Sequence, residues 1–327
     1  MPTNGPTGRP PCLVTGVAGF IGGHLAQALL DAGWPVVGVD DLSRGGLEGM
    51  AGFQEHPGFR FLRGSVLDPG CVREMLALGG AGARLFHLAA ISSTQYCLEH
   101  PEQAMRLNRD AALELHAAAR RAGFATYVFS GSAAEYGDAP RVPVAEGDAT
   151  GRTVQLSPYG AAKYQVSARV GGSGFGTALR FFNVFGPRQD PDNPYSGVIS
   201  KFLDAALAGR SPVVHGDGGQ SRDFVYVGDV VHACLLAAGV VDGRARFGIY
   251  NVGTGVETTI LELARTVGAL AGSGAPVRFA PVRRGDIRRS LCDPSAFAAA
   301  TGWRPGVGLR QGLAPTLAWM RARERGR

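Results

Sequence analysis

The residues best able to do chemistry in this chain are a tyrosine and a lysine four positions apart. They sit in the run Tyr159-Gly160-Ala161-Ala162-Lys163. On a helix that spacing puts both side chains on one face. An ammonium beside a phenol stabilises the phenolate, which makes the phenol a usable base near neutral pH. Lysine suits the role as a compact charge with rotatable donors, where arginine would bring a planar fork. An ordinary exposed helical pair satisfies the same spacing. Composition adds weight to the chemical reading: only two of the chain's 33 basic residues are lysines.

A second constellation lies near the start. Leu13-Val14-Thr15-Gly16-Val17-Ala18-Gly19-Phe20-Ile21-Gly22 places three glycines after an apolar run and at the opening of a helical pattern. Gly16 suits a tight turn. Gly19 lets a pyrophosphate approach backbone amides at a helix N-terminus, and Gly22 allows close packing of that helix. Asp40 ends the next predicted strand, where a carboxylate can bind both adenosine-ribose hydroxyls and repels a 2′-phosphate. The pattern predicts an NAD site. Arg44 stands close enough to meet a phosphate, so NADP stays open at this stage. A structural glycine turn with a capping aspartate is the alternative, and the strand–glycine–helix context weighs against it.

Both constellations need a frame. Candidate strands are 13–15, 36–40, 59–63, 85–89, 126–130 and 178–183, with helical stretches at 21–32, 101–122 and 159–170. Gly33 and Gly123 stand where helix C-terminal glycines belong. Such alternation implies an α/β chain of Rossmann type, a doubly wound parallel sheet covered by helices on both faces. After about residue 184 the alternation gives way to Pro/Gly/Asp-rich loops, which predicts a smaller C-terminal α/β substrate domain. The expected divisions are a disordered leader over 1–11 and a dinucleotide-binding domain over 12–183, with 225–255 returning to it. A ligand-binding part covers 184–224 and 256–320, and a basic, solvated tail covers 321–327.

Bulk properties exclude several classes. The chain has 327 residues, 45% apolar and 18% charged, as a globular protein with a sizeable core should. No apolar run reaches the length of a membrane helix. The start lacks the apolar segment of a signal peptide. Five scattered cysteines form no C-x-x-C pair, which fits a reducing cytoplasm and neither a disulfide framework nor a zinc site. The net charge of +6 is uneven: 278–327 holds 11 Arg against three acids, so the remainder is near neutral. That argues against a nucleic-acid partner and for a small anionic ligand.

Further motifs extend the reading: H-L-A-A (87–90), F-S-G-S-A-A-E-Y-G (129–137), S-P-Y-G-A-A-K (157–163), L-R-F-F-N-V-F-G-P-R-Q-D-P (179–191), G-D-G-G-Q-S-R-D-F-V-Y-V-G-D-V (216–230), Y-N-V-G-T-G (250–255) and R-R-G-D-I-R-R-S (283–290). With the glycine run, and in this order, they resemble the extended short-chain dehydrogenase/reductases, in particular the nucleotide-sugar 4-epimerase branch. The resemblance runs from about Cys12 to Met320. It implies Ser132, Tyr159 and Lys163 as the catalytic trio and a tightly bound NAD. The cofactor contacts it implies are Gly16, Gly19, Phe20, Ile21, Gly22, Asp40, Asp41, Ser43 and Arg44. Ser65, Val66, Leu88, Ala89, Ala90, Ser130 and Phe181 complete them beside Tyr159 and Lys163.

The implied reaction withdraws hydride from C4 of a UDP-sugar while Tyr159 takes the hydroxyl proton, then returns both to give the epimer. The implied substrate contacts are Ser132, Asn183, Val198, Arg222, Arg283, Asp286 and Ser290, with the small Ser290 at a gatekeeper position leaving room beside C2. Related 4,6-dehydratases carry an acidic pair directly after the Ser/Thr, and decarboxylases carry a Glu two residues after it. Here those positions are Ala133 and Ala134, and Glu135 falls one place too late. UDP-N-acetylglucosamine/N-acetylgalactosamine and UDP-glucose/galactose are the expected substrates. A UDP-glucuronate or UDP-pentose epimerase, or a reductase or oxidase of the same family, remains open. A non-enzymatic NAD(P)-binding regulator is the third reading, against which the complete trio argues.

Some positions depart from the family pattern. Ser65 replaces an Asp, and Gly131 replaces a common Ser with little expected effect. The stretch from Lys163 to Arg180 is about one helical turn shorter than in the family, with Val170–Gly174 a poor helix. Relatives often dimerise through this helix, so the resemblance implies a possible homodimer and the shortening argues against it.

Overall fold

The computed structural model describes residues 8–190, 197–282 and 287–325. In chain order its first half comprises β1 (Cys12–Thr15), α1 (Phe20–Asp31), β2 (Val36–Asp40), β3 (Phe59–Arg63), α2 (Pro69–Gly79), β4 (Arg84–His87), α3 (Thr94–Glu99), α4 (Pro101–Met105), α5 (Ala112–Arg121), β5 (Thr126–Ser132), α6 (Pro158–Gly171) and β6 (Gly176–Phe181). The second half comprises β7 (Asn183–Phe185), α7 (Val198–Leu207), β8 (Val213–His215), β9 (Ser221–Tyr226), α8 (Val227–Ala237), β10 (Gly248–Val252), β11 (Glu257–Thr259), α9 (Ile260–Ala271), β12 (Arg278–Ala280), β13 (Arg289–Ser290), α10 (Ser295–Thr301) and α11 (Leu309–Arg325).

Seven strands form one sheet in the order β10-β6-β5-β4-β1-β2-β3. The pairs β1–β2, β1–β4, β2–β3 and β4–β5 are parallel. Every residue of β1 is buried, as its CLVT run demands of a strand covered on both faces. Strand order reverses between β1 and β4, where doubly wound sheets open a crevice at their carboxyl ends. The register places Thr15 beside both Val39 and His87 at that end.

Two compact units divide the chain. The first takes residues through Glu135, Ser157–Arg180 and Val231–Tyr250. Its core includes Leu13, Val37, Leu85, Leu115, Phe129 and Val166. The second takes Tyr136–Leu156, Phe181–Val230 and the chain from Asn251 onward. There α7, α9 and α11 supply Phe202, Leu263 and Leu317 to a core shared with Phe224 of β9.

Two expectations need correction. The predicted continuous helix over 101–122 is interrupted by a π-helical segment, Arg106–Ala111. Within it the buried Asn108 exchanges hydrogen bonds with the main chain of Ile91, a tertiary contact that periodicity does not reveal. The arginine-rich stretch expected as a solvated tail is largely exposed but helical, continuing α11 as far as Arg325. Its Arg323 pairs with Asp190 at 2.5 Å. No helix among the described residues is long and apolar enough to cross a membrane.

Candidate active site

The glycine turn sits directly after β1. Gly16 has φ +74°, and a Cβ there would stand 2.8 Å from the Ala89 amide nitrogen. A Cβ on Gly22 would stand 2.0 Å from the Gly16 carbonyl oxygen, so the first turn of α1 lies against the loop that precedes it. Gly19 is the N-cap of α1 and brings no side-chain acceptor. The first amides of this 12-residue helix are therefore left for an anion.

Asp40, at the end of β2, accepts hydrogen bonds from the amides of Ala18 (3.0 Å) and Leu42 (2.8 Å). Burial pushes its carboxyl above the usual range, against the pull of those amides. A carboxylate has about four acceptor sites, so capacity remains for ribose hydroxyls. Leu42 adopts φ +60°, a costly conformation for a branched residue, and Ser43 donates its amide to Asp41 at 2.9 Å. The Arg44 guanidinium lies 4.3 Å from the Tyr96 ring centroid, which engages its face in a cation–π contact. The Ser65 hydroxyl accepts from the Leu67 amide at 3.3 Å, and Val66 is buried. A glycine cradle, uncapped helix amides and a carboxylate at the end of β2 together fit a dinucleotide such as NAD.

Thr15, which sequence reasoning passed over, organises the neighbouring loop. Its hydroxyl meets His87 Nδ1 at 2.8 Å and lies within 3.2 and 3.3 Å of the Leu88 and Ala89 amides. Burial holds His87 neutral, down to about 3. The loop Leu88–Ala90 is thus fixed next to Gly16.

Ser132, Tyr159 and Lys163 come together in the first unit. Ser157 caps α6 by accepting the Gly160 amide at 3.2 Å, and Pro158 takes the first helical position. This fixes Tyr159 in the first turn, with Lys163 one turn on. The Lys163 Nζ donates to the Ser130 carbonyl oxygen at 2.6 Å and lies 3.3 Å from the Ser130 hydroxyl. It stands 4.5 Å from the Phe129 ring centroid and 5.8 Å from that of Tyr159. Burial pulls Lys163 down to about 8, with Glu135 acting in the opposite sense. Burial also pushes the Tyr159 phenol up to about 12, opposed by a hydrogen bond from Ser132. The Ser132 hydroxyl accepts the Ala134 amide at 3.2 Å, which orients it.

Glu135, one place too late to match the acid of a dehydratase or decarboxylase, is not idle. It is fully buried and pairs with the equally buried Arg180 at 2.6 Å. Gly131, expected to matter little, matters for that reason: a Cβ there would stand 2.7 Å from the Glu135 carboxylate.

The second unit holds a cavity of about 670 Å³ whose lining includes Val198, Lys201, Arg210, Arg222 and Arg278, with Asp204 beside Arg210 as its ion-pair partner. The Arg222 guanidinium donates to the carbonyls of Ser221 (2.8 Å) and Ile287 (2.7 Å). Phe202 and Ile260 add apolar wall. Lys201 is the chain's other lysine, so the composition that singled out Lys163 pointed to it equally. Asn183 donates its side-chain amide to the Asp223 carbonyl at 3.1 Å. Ser290 pairs with Arg222 in the β13–β9 ladder, and Phe181 is buried at the end of β6. Arg283 and Asp286 lie outside the described residues.

Fold, glycine turn and tyrosine–lysine pair define a dinucleotide-dependent enzyme class. The sequence pattern of the NAD-dependent epimerase/dehydratase family matches residues 12–253, and the chain belongs to that family. It is 36% identical to a UDP-glucose 4-epimerase of Mycolicibacterium smegmatis, over 94% of this chain and 98% of that one. The Thermus thermophilus UDP-glucose 4-epimerase in complex with NAD is 34% identical, with TM-score 0.84 over 95% of this chain and 99% of its own. A UDP-N-acetylglucosamine 4-epimerase of Methanobrevibacter ruminantium, in complex with UDP-N-acetylmuramic acid, is 32% identical, with TM-score 0.85 over 96% and 99%.

Proposed function

We propose that the chain interconverts the C4 epimers of a UDP-hexose and holds NAD permanently at the glycine turn. The substrates are UDP-N-acetylglucosamine/N-acetylgalactosamine or UDP-glucose/galactose. The observation that carries this reading is the meeting of Ser132, Tyr159 and Lys163 beside Ala133 and Ala134. The site offers a base for a hydroxyl proton and, at those two positions, no acid for a C–H bond or a leaving hydroxyl.

Bound NAD supplies reversible hydride acceptance at C4. The remaining work falls to the chain. Tyr159 Oη removes and returns the proton of the C4 hydroxyl. Ser132, held by the Ala134 amide, hydrogen-bonds the same oxygen. Burial alone holds the Tyr159 phenol protonated at neutral pH; the Lys163 ammonium, largely charged with its pKa near 8, and the positive ring of bound NAD would draw it down for use as the base. In the second unit, Arg222 and its cationic neighbours take the diphosphate, for which guanidinium geometry is suited. The small Ser290 leaves room for a C2 acetamido group. Five free, buried cysteines support a reducing compartment such as the cytoplasm.

The test is turnover without added cofactor. Purified protein is given UDP-glucose, UDP-N-acetylglucosamine, UDP-glucuronate or UDP-xylose, and C4 is followed by NMR. Epimerisation of a UDP-hexose with no change in absorbance from free NADH is expected. Steady, stoichiometric production or consumption of NADH would contradict the reading.

A further inference from the structure

Glu135 has no part in the proton and hydride chemistry above, yet it is the fully buried acid beside that chemistry. One of its oxygens accepts the Ser132 main-chain amide at 2.9 Å and the Ser167 hydroxyl at 2.8 Å. The other accepts Arg180 Nε at 2.6 Å. Ser167 lies four residues after Lys163, so Tyr159, Lys163 and Ser167 form one stripe on α6. A single carboxylate therefore ties the end of β5, the reactive face of α6 and β6.

Three other residues are shaped to this arrangement. Gly131 carries no Cβ, which would otherwise stand 2.7 Å from the carboxylate and 3.0 Å from the Ser167 hydroxyl. Ser167 is a small donor, fully buried. Arg180 is an interior guanidinium, 1% exposed, whose charge requires a partner. Packing alone does not call for an ion pair here, since apolar residues of similar volume commonly serve an interior as well or better.

We propose that Glu135 is a positioning residue for the reaction: its carboxylate fixes the Ser132 main chain against the helix face that presents Tyr159 and Lys163. The inference rests on the function proposed above. Its charge has a second consequence. Glu135 raises the proton affinity of both Tyr159 and Lys163, so it helps keep the buried Lys163 charged. The other groups facing the pair are Cys97 of α3, His87 of β4, the hydroxyls of Ser130 and Ser132 on β5, and Arg180 of β6 behind Glu135. His87 is neutral, and burial keeps the Cys97 thiol protonated. Glu135 and Arg180 are thus the charges set behind the pair.

Glu135→Gln, Arg180→Met and the double variant test this in the NAD-loaded enzyme. Glu135→Gln keeps the shape and removes the anion. Both limbs of the pH–rate profile should move to lower pH by about one unit, the effect of one charge at roughly 10 Å in a dielectric of about 20. Arg180→Met should move both limbs to higher pH, and the double variant should return them toward wild type. In Glu135→Gln, kcat should fall at least about tenfold while KM changes little, as expected when a catalytic group is misplaced. Unmoved limbs, with activity lost only in proportion to lost thermal stability, would overturn the proposal. A second readout is independent of turnover. The Tyr159 phenol is titrated by ultraviolet difference absorbance in each variant, against the same variant carrying Tyr159→Phe. A wild type without epimerase activity would refute the proposed function, and this titration would still decide the role of Glu135. Should Arg180→Met alone not fold, Glu135→Gln and the charge-neutral double variant decide the matter.

Discussion

The glycine turn of the first unit and the cavity of the second are both suited to anions, but they are built from opposite materials. At the turn, donors are main-chain amides at the start of α1. What the sequence contributes there is the absence of side chains at Gly16, Gly19 and Gly22. In the cavity cationic side chains, Lys201, Arg222 and Arg278, provide the attraction, while the charge of Arg210 is met by Asp204 in the same lining. Partial charges fixed in a rigid turn are pre-organised and are lost only when the backbone moves. Full charges on long side chains are strong at low salt, screened at high salt and removable one at a time.

This contrast can be broken at either end. The larger effect is expected from Gly22→Ala. Its Cβ would meet the Gly16 carbonyl oxygen at 2.0 Å, and main chain cannot swing aside as a side-chain tip can. Overpacking of this kind costs about 1–3 kcal/mol. It should lower Tm and abolish retention of NAD through purification, read by the cofactor absorbance of the denatured protein. Gly22→Ala protein with normal stability and a full complement of cofactor would show that the turn is not the rigid cradle described. A smaller, graded effect is expected from Arg222→Gln. Loss of one charge-assisted contact, about 1.5–3 kcal/mol, should weaken UDP binding by roughly tenfold or more, measured by calorimetry. The same variant should reduce the dependence of UDP affinity on ionic strength and leave NAD retention intact. An unchanged salt dependence would mean that Arg222 does not meet the diphosphate.

What could be read from the sequence follows the same division. The strands β1–β3 and the glycine turn are local patterns, and the residues that form them are neighbours in the chain. Tyr159 and Lys163 are also local, one helical turn apart. Glu135 was not legible as a structural centre because its partners, Ser167 and Arg180, stand 32 and 45 residues away. By the spacing that places the acids of dehydratases and decarboxylases, Glu135 reads only as misplaced. The nearness of Arg44 to Asp40 leaves NADP open in the sequence, and its cation–π contact with Tyr96 crosses a distance in sequence that no periodicity reports. Of the cavity's four cations only Arg222 was identified, through its motif. Lys201 could have been found by asking of both lysines what was asked of one.

Tyr159 is the proposed base, and replacing it by phenylalanine tests that role most directly. The phenol oxygen is the only atom removed, and the glycine turn is untouched. With saturating UDP-hexose, Tyr159→Phe should lose about 10²–10⁴-fold in kcat, the usual contribution of a general base, while retaining NAD at the wild-type stoichiometry. Full epimerase activity in that variant would contradict the central claim.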